Sequence, residues 1–214
     1  MPFLLSVIAG STDTICFLGL NGLFTAHITG NVVLLAANLV TGKPALISYL
    51  LSVPVFMMVL YFTRAFAILI ERINLPPLRP LLLAQLTFLA ASLELCVFFG
   101  PWTDAQTLAP ITAGMFAVSA MAVQNALAQI ALKNVPSTAV MTTNVTHFIL
   151  DLSELVHARN EAAHAEALQR AKRTLPVIGG FIIGCALGAV YQAAAGLWSL
   201  SLPTGLALLA LIAA

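Results

Sequence analysis

Charged side chains are scarce in this chain. Of its 214 residues, 8% are Asp, Glu, Lys or Arg, and 60% are hydrophobic. A typical soluble domain has about 25% charged and roughly 45–50% apolar residues. A water-soluble fold of this length would lack the polar side chains to cover its surface, so the composition predicts an integral membrane protein. It argues against a soluble enzyme, and the net charge of +1 gives no support for a nucleic-acid partner.

Cysteine and catalytic motifs are also sparse. Cys16, Cys96 and Cys185 each lie inside an apolar run, without the Cys or His spacing of a metal site. This pattern favours buried, reduced thiols that act as small hydrophobic residues. The sequence has no Walker loop, no GxSxG and no HExxH motif. We therefore expect no enzyme activity, no catalytic residue, no metal and no cofactor.

Long apolar runs occupy most of the chain. A helix that crosses a membrane needs about 20 largely apolar residues. Six stretches reach or approach that length: Phe3–Gly22, Ala45–Ile70, Pro80–Gly100, Leu108–Leu132, Leu175–Gly196 and Leu197–Ala214. Two further runs, Ile28–Val40 and Val140–Leu152, are shorter. A run of about 13 residues covers about 20 Å, less than the hydrocarbon core of ~30 Å.

The basic residues decide between two topologies. If all eight runs cross the membrane, the basic residues show no clear preference for one side. If the two short runs enter and leave on the same side, only Lys43 is separated from the other basic residues, which are Arg64, Arg72, Arg79, Lys133, Arg159, Arg170, Lys172 and Arg173. Because cytoplasmic loops are enriched in Lys and Arg, this second topology is favoured. It predicts both termini in the cytoplasm, with the hydrophilic stretch 157–173 as a cytoplasmic linker that is either a solvated helix or a flexible connector.

The chain also contains a weak internal repeat. A shift of 113 positions places Asn31 on Asn144, Thr25 on Thr138 and Thr29 on Thr142. Three crossings per half make the second half enter the membrane from the opposite side. We therefore predict an all-α membrane protein of six transmembrane helices plus two short re-entrant half-helices, in which residues 1–100 and 101–214 form an inverted 3+3 repeat. Chance matching of apolar sequence is the alternative.

The starts of the two short helices are the first candidate site. A helix start leaves four backbone N–H groups unpaired and carries a partial positive charge, which suits an anion or a polar group. We expect both starts to meet at mid-membrane around one cavity that binds a small polar or anionic solute. In the alternative interpretation, the Thr and Asn side chains only cap the helices. The residues concerned are Thr29, Gly30, Asn31, Thr142, Thr143 and Asn144.

Polar residues inside the apolar runs add to this site. Asp13 lies in the first crossing, where an ionised carboxylate is costly, so it is either a proton-coupling or substrate-contacting group or a structural hydrogen-bond partner. His27 precedes the first short helix and either titrates near neutral pH or caps the helix. Gln124 and Asn125 occupy the corresponding place in the second half, where they can line a site or join helices.

One helix carries a stripe of small residues. Gly180, Gly184 and Gly188 form a doubled GxxxG pattern, which lets helices approach closely. The pattern predicts either packing within one chain or the contact face of a homodimer.

The sequence resembles a known bacterial family. The stretch from Gly10 to Asn31 and residues 122–152 are similar to the YoaK-like group of inner-membrane proteins, domain-of-unknown-function family 1275. Its G-x-x-D-x-x-x-F and H-x-T-G-N elements match Asp13, His27 and Asn31, its Q-N-A element matches residues 124–126, and Thr142 and Asn144 match the end of its T-x-x-T-x-N element. The resemblance covers the whole chain and implies six membrane helices, with the activity unassigned. The layout is also similar to UraA-type nucleobase and sulfate-permease anion transporters, in which two half-helices face each other around the substrate.

These observations predict a multi-pass inner-membrane transporter or channel for a small polar or anionic solute. Its partners would be the lipid bilayer and that solute. The alternative is a non-transporting membrane protein, such as an assembly partner or sensor, whose polar centre is structural.

Overall fold

The computed structural model of the protein describes residues 1–42, 47–102, 104, 106–132, 135–157 and 160–214. Within these residues the regular structure is entirely helical. The helices are α1 (Pro2–Gly19), α2 (Ile28–Thr41), α3 (Ile47–Arg72), α4 (Leu78–Phe99), α5 (Leu108–Ile130), α6 (Met141–His157), α7 (Glu161–Ala195) and α8 (Ser201–Ile212), with a short 3-10 helix at Gly196–Leu200. Three basic residues on which the predicted topology relies, Lys43, Lys133 and Arg159, lie outside the described residues.

Five helical stretches are long and apolar enough to cross a membrane: α1, α3, α4, α5 and the continuous stretch Glu161–Ile212. On α3, Met57, Tyr61 and Phe62 are each more than 60% exposed. A soluble protein rarely exposes large contiguous apolar surface, whereas lipid accommodates it. These features are consistent with the predicted multi-pass membrane protein.

Two buried clusters lie at opposite ends of the helix bundle. The first joins Leu5 of α1 to Leu82 of α4 and Leu127 of α5, and both Met1 and Ala214 pack against it. The second joins Ile15 of α1 to Cys96 of α4 and Ala113 of α5. We call these the terminal end and the distal end. Since α1 and α4 run towards the distal end and α5 returns, successive long helices are antiparallel.

The glycine stripe of α7 packs against α1. A Cβ atom added at Gly180, Gly184 or Gly188 would lie 2.7 Å from the Phe3 carbonyl oxygen, 2.3 Å from the Val7 carbonyl oxygen and 2.9 Å from Ser11 backbone atoms, respectively. The absence of side chains is what lets the two backbones approach. This glycine face is therefore occupied by α1 within the chain, in agreement with the first of the two predicted alternatives.

The two shorter helices do not pack on each other. α2 packs mainly on α3, and α6 packs on α7. Much of α2 is open, with Val33 69% and Val40 89% exposed. The likeness to UraA-type transporters predicted two short helices face to face, whereas in the described residues α2 and α6 each pack on a different long helix.

The hydrophilic stretch 161–173 is the first part of α7, so here the solvated-helix alternative is the observed one. Arg170 fastens this part of α7 to α6. Its Nε donates to Asp151 Oδ1 at 2.7 Å, and its Nη2 pairs with Glu154 Oε2.

Candidate functional site

Asp13 forms the first buried polar centre, and its carboxylate is 5% exposed. Its Oδ1 accepts hydrogen bonds from the backbone N–H groups of Thr25 (2.7 Å) and Ala26 (2.8 Å) and from Thr25 Oγ1 (3.2 Å). Its Oδ2 lies 2.6 Å from His27 Nδ1. Asp13 therefore anchors the residues that lead into α2, and both of its carboxylate oxygens form hydrogen bonds.

A tight turn after α1 creates this centre. Asn21 (φ 55°) and Gly22 (φ 85°) have the left-handed backbone that reverses the chain, so the following residues run back alongside α1. The Asn31 side chain then fixes the turn. Its Oδ1 accepts from Phe24 N at 2.9 Å, and its Nδ2 donates to Phe24 O at 2.7 Å and to Ser52 Oγ at 2.9 Å. Asn31 is fully buried by these contacts.

A cavity of about 470 Å³, which we call the distal cavity, lies beside the first centre. Asp13, His27, Thr29 and Gly30 line it together, so four of the predicted site residues meet here. Three phenylalanines and Cys185 complete most of its wall. The ring centroids of His27 and Phe181 are 5.5 Å apart, those of Phe24 and His27 are 6.1 Å apart, and those of Phe17 and Phe24 are 4.7 Å apart.

Gln124 forms a second, fully buried polar centre. Its Nε2 donates to Leu5 O at 2.8 Å and to Thr138 Oγ1 at 3.0 Å, and its Oε1 accepts from Gln85 Nε2 at 2.7 Å. Gln124 thus joins α5 to α1, to α4 and to the residues that lead into α6. Gln85 Oε1 is buried without a hydrogen-bond partner among the described residues.

A cavity of about 770 Å³, which we call the terminal cavity, lies between α3, α5 and α6. Asn125, Thr143 and Asn144 line it, together with Arg64, Gln129 and His147. The Arg64 side chain is 53% exposed, and its Nη1 lies 3.8 Å from Glu71 Oε1. Thr142 is exposed at the start of α6 and is not part of the lining.

The two helix starts line separate cavities, whereas the sequence predicted one shared cavity. The distal and terminal cavities have no lining residue in common. Asp13 lies six residues before the distal end of α1 and Gln124 six residues before the terminal end of α5, so each centre is about 9 Å from a different end of the bundle. Ala26 and Ala139, which lead into α2 and α6, both belong to the first cluster together with Ile8.

Several residues of the two centres were not identified from the sequence. The backbone donors of Thr25 and Ala26 leave no mark in the sequence, because any residue can supply an N–H group. Gln85 could have been noticed, since an amide within an apolar run is uncommon. The Phe17, Phe24 and Phe181 rings could not, because phenylalanine in a membrane helix is ordinary.

The fold and these two centres define a helical protein of membrane type with one buried polar centre in each half of the chain. The chain belongs to the family described as "Protein of unknown function (DUF1275)", whose profile matches residues 1–213, and the resemblance recognised in the sequence is thereby confirmed. No curated protein and no solved structure matches it.

Proposed function

We propose that the chain crosses the inner membrane six times, with α2 and α6 as re-entrant half-helices of an inverted repeat. The antiparallel order of the long helices and the position of Met1 and Ala214 at one end support six crossings. The basic residues of the described chain lie towards the same end: Arg64, Arg72, Arg79, Arg170, Lys172 and Arg173. By the positive-inside rule, the terminal end is then cytoplasmic.

The lengths and attachments of α2 and α6 support the half-helix assignment. α2 has 14 residues, which rise about 21 Å. It follows the distal end of α1 and precedes the distal end of α3, where Tyr49 joins the second cluster. α6 likewise follows the terminal end of α5 and precedes the hydrophilic start of α7. The chain therefore enters and leaves each short helix from the same end of the bundle, as the proposed half-helices require.

The function we propose is transport of a small anionic or polar solute, with the terminal cavity as its binding site. The observation that carries this proposal is that the cavity combines the Arg64 guanidinium with the amides of Asn125 and Asn144 inside an apolar bundle. Arg64 lies eight residues, or about 12 Å, from the end of α3, and a cation at such depth commonly marks a solute pathway. The volume of about 770 Å³ is within the usual range of small-molecule sites, roughly 300–1,000 Å³.

The surroundings of the terminal cavity provide a route to the cytoplasm. A cavity of about 1,090 Å³ between α6 and α7 shares Pro136 and His147 with it. This larger cavity is lined by charged residues of the terminal end, including Asp151 and Arg170. A solute could therefore pass between the cytoplasm and the terminal cavity along α6.

The test is a thermal-stabilisation screen of the purified protein with small anions, nucleobases and organic acids, followed by uptake of each hit into proteoliposomes. We expect Arg64→Gln to weaken solute binding at least tenfold, because it removes the cation of the cavity. Arg72→Gln, at the exposed end of the same helix, is the control and should bind normally. Equal binding by wild type and Arg64→Gln would contradict the proposed site.

A non-transporting structural role is the second candidate. The observation in its favour is that Asp13 and Gln124 are heavily engaged in hydrogen bonds to the segments that precede α2 and α6. In that case no solute in the screen should stabilise the protein, while Asp13→Asn should still lower its thermal stability.

A further inference from the structure

The charge of Asp13 depends on a single neighbouring group. Within the described residues, His27 is the only basic side chain within 4 Å of the Asp13 carboxylate. With a proton on both imidazole nitrogens, His27 neutralises the carboxylate. Without that proton, the pair carries one negative charge at a buried position. The hydrogen bonds from Thr25 and Ala26 stabilise this charge without neutralising it, so a cation beside the deprotonated pair is favourable.

The distal cavity has features that suit such a cation. Phe17, Phe24 and Phe181 present aromatic rings to it, and Asp13 and His27 lie in its wall. The faces of aromatic rings attract cations, and quaternary ammonium groups are bound by such rings in proteins. No Lys or Arg of the described chain is among the lining residues, so the charged side chains of the wall are Asp13 and His27, beside the partial positive charge at the start of α2.

We propose that the distal cavity binds a lipophilic organic cation, such as a quaternary ammonium compound, and that this cation and a proton on His27 alternate as the counter-charge of Asp13. The aromatic rings contact the apolar groups of the cation, while the carboxylate compensates its charge. The cation therefore binds as the proton leaves His27, and a proton on His27 expels the cation. This site is separate from the terminal cavity and does not depend on the anion site proposed there.

The other titratable groups around His27 do not replace it in this exchange. α1 contributes Asp13 and, next to the carboxylate, Cys16, while α7 contributes Cys185. The start of α2 contributes the uncharged residues Thr29 and Gly30. A cysteine thiol is ordinarily neutral near pH 7, so neither cysteine alters the charge of the centre.

The test is isothermal titration calorimetry of the full-length protein in detergent with benzyltrimethylammonium, whose charge is permanent. We expect affinity to rise with pH, up to tenfold per pH unit, as His27 loses its second proton. Titrations in two buffers of different ionisation enthalpy should show close to one proton released per cation bound where His27 is protonated. Failure to bind, or binding without pH dependence and without proton release, would overturn the proposal.

Two variants separate this exchange from a general effect of pH. His27→Gln should bind the cation without pH dependence, because no proton competes, whereas His157→Gln, at the exposed end of α6, should behave as wild type. Arg64→Gln should leave cation binding unchanged, so a failure of the anion site and a failure of the cation site are distinguishable. If His27→Gln does not fold, the wild-type proton release decides the question by itself.

Discussion

Asn31 and Asn144 make the same hydrogen bond in the two halves of the chain. Each donates from its side-chain Nδ2 to the backbone carbonyl of the residue seven positions earlier, Phe24 at 2.7 Å and Ser137 at 2.6 Å. The shift of 113 positions that relates the two asparagines also relates these two acceptors. The segments leading into α2 and α6 are thus folded in the same way, which supports the proposed repeat more strongly than the sparse sequence identity does.

The two asparagines differ in the number of hydrogen bonds that they make, and this difference leads to a first prediction. Asn31 makes three hydrogen bonds at a fully buried position, whereas Asn144 makes one to the protein backbone and borders a cavity. Asn31→Leu should therefore cost several kcal/mol in stability, since each buried group left unsatisfied costs about 1–3 kcal/mol. Asn144→Leu should cost about 1 kcal/mol. Thermal unfolding of both variants in detergent provides the measurement, and equal losses would count against the observed network.

The glycine stripe gives a second prediction with an internal control. A Cβ at Gly184 would lie 2.3 Å from the Val7 carbonyl oxygen, while one at Gly179 meets nothing within 4 Å. Gly184→Ala should separate α7 from α1 and lower the melting temperature by several degrees or prevent folding. Gly179→Ala should match or exceed wild type, because alanine is the better helix former by about 1 kcal/mol. A similar response of the two variants would refute the close approach of α1 and α7.

A third prediction concerns the amide pair in the second polar centre. Gln124→Leu removes three hydrogen bonds and leaves Leu5 O and Gln85 Nε2 without their partner. We expect it to be more destabilising than Gln85→Leu. The double variant should be less destabilised than the sum of the two single variants, because the leucines remove both members of one bond. Additive losses in a double-mutant cycle of unfolding free energies would show that the two amides do not interact.

The bond between Arg170 and Asp151 provides a fourth prediction. Arg170→Ala should loosen α6 from α7 and increase amide hydrogen exchange in residues 141–157. Lys172→Ala, two positions away on α7 and exposed, is the control and should leave exchange in α6 unchanged. Unchanged exchange in Arg170→Ala would mean that apolar packing alone holds α6 in place.

The sequence pattern predicts the helical class and the membrane character of the chain, whereas the partners of its buried polar groups depend on packing. The apolar runs and the scarcity of charge predicted an all-helical chain of membrane type, because these properties depend on composition and length. The correspondence between Asn31 and Asn144 was visible in the sequence as the shift of 113 positions that relates the two halves. The partners of Asp13 were not, since backbone N–H groups are the same in every sequence.

The separate cavities of the two helix starts could not be predicted from the sequence for a related reason. The depth at which α2 begins depends on how far residues 20–27 run back along α1, which is set by the turn at Asn21 and Gly22. A short apolar helix with a polar start does not contain that information. In the structure each helix start lines a cavity of its own.

The proposed topology is tested most directly by single cysteines at Gly42, Asn74 and Asn160 in a variant that lacks the three native cysteines. The measurement is labelling by a membrane-impermeant maleimide in intact cells and in inside-out vesicles. We expect position 42 to react from the periplasm and positions 74 and 160 to react from the cytoplasm. If α2 and α6 instead cross the membrane, positions 42 and 160 will react from the same side, and that result would contradict the half-helices and the inverted repeat together.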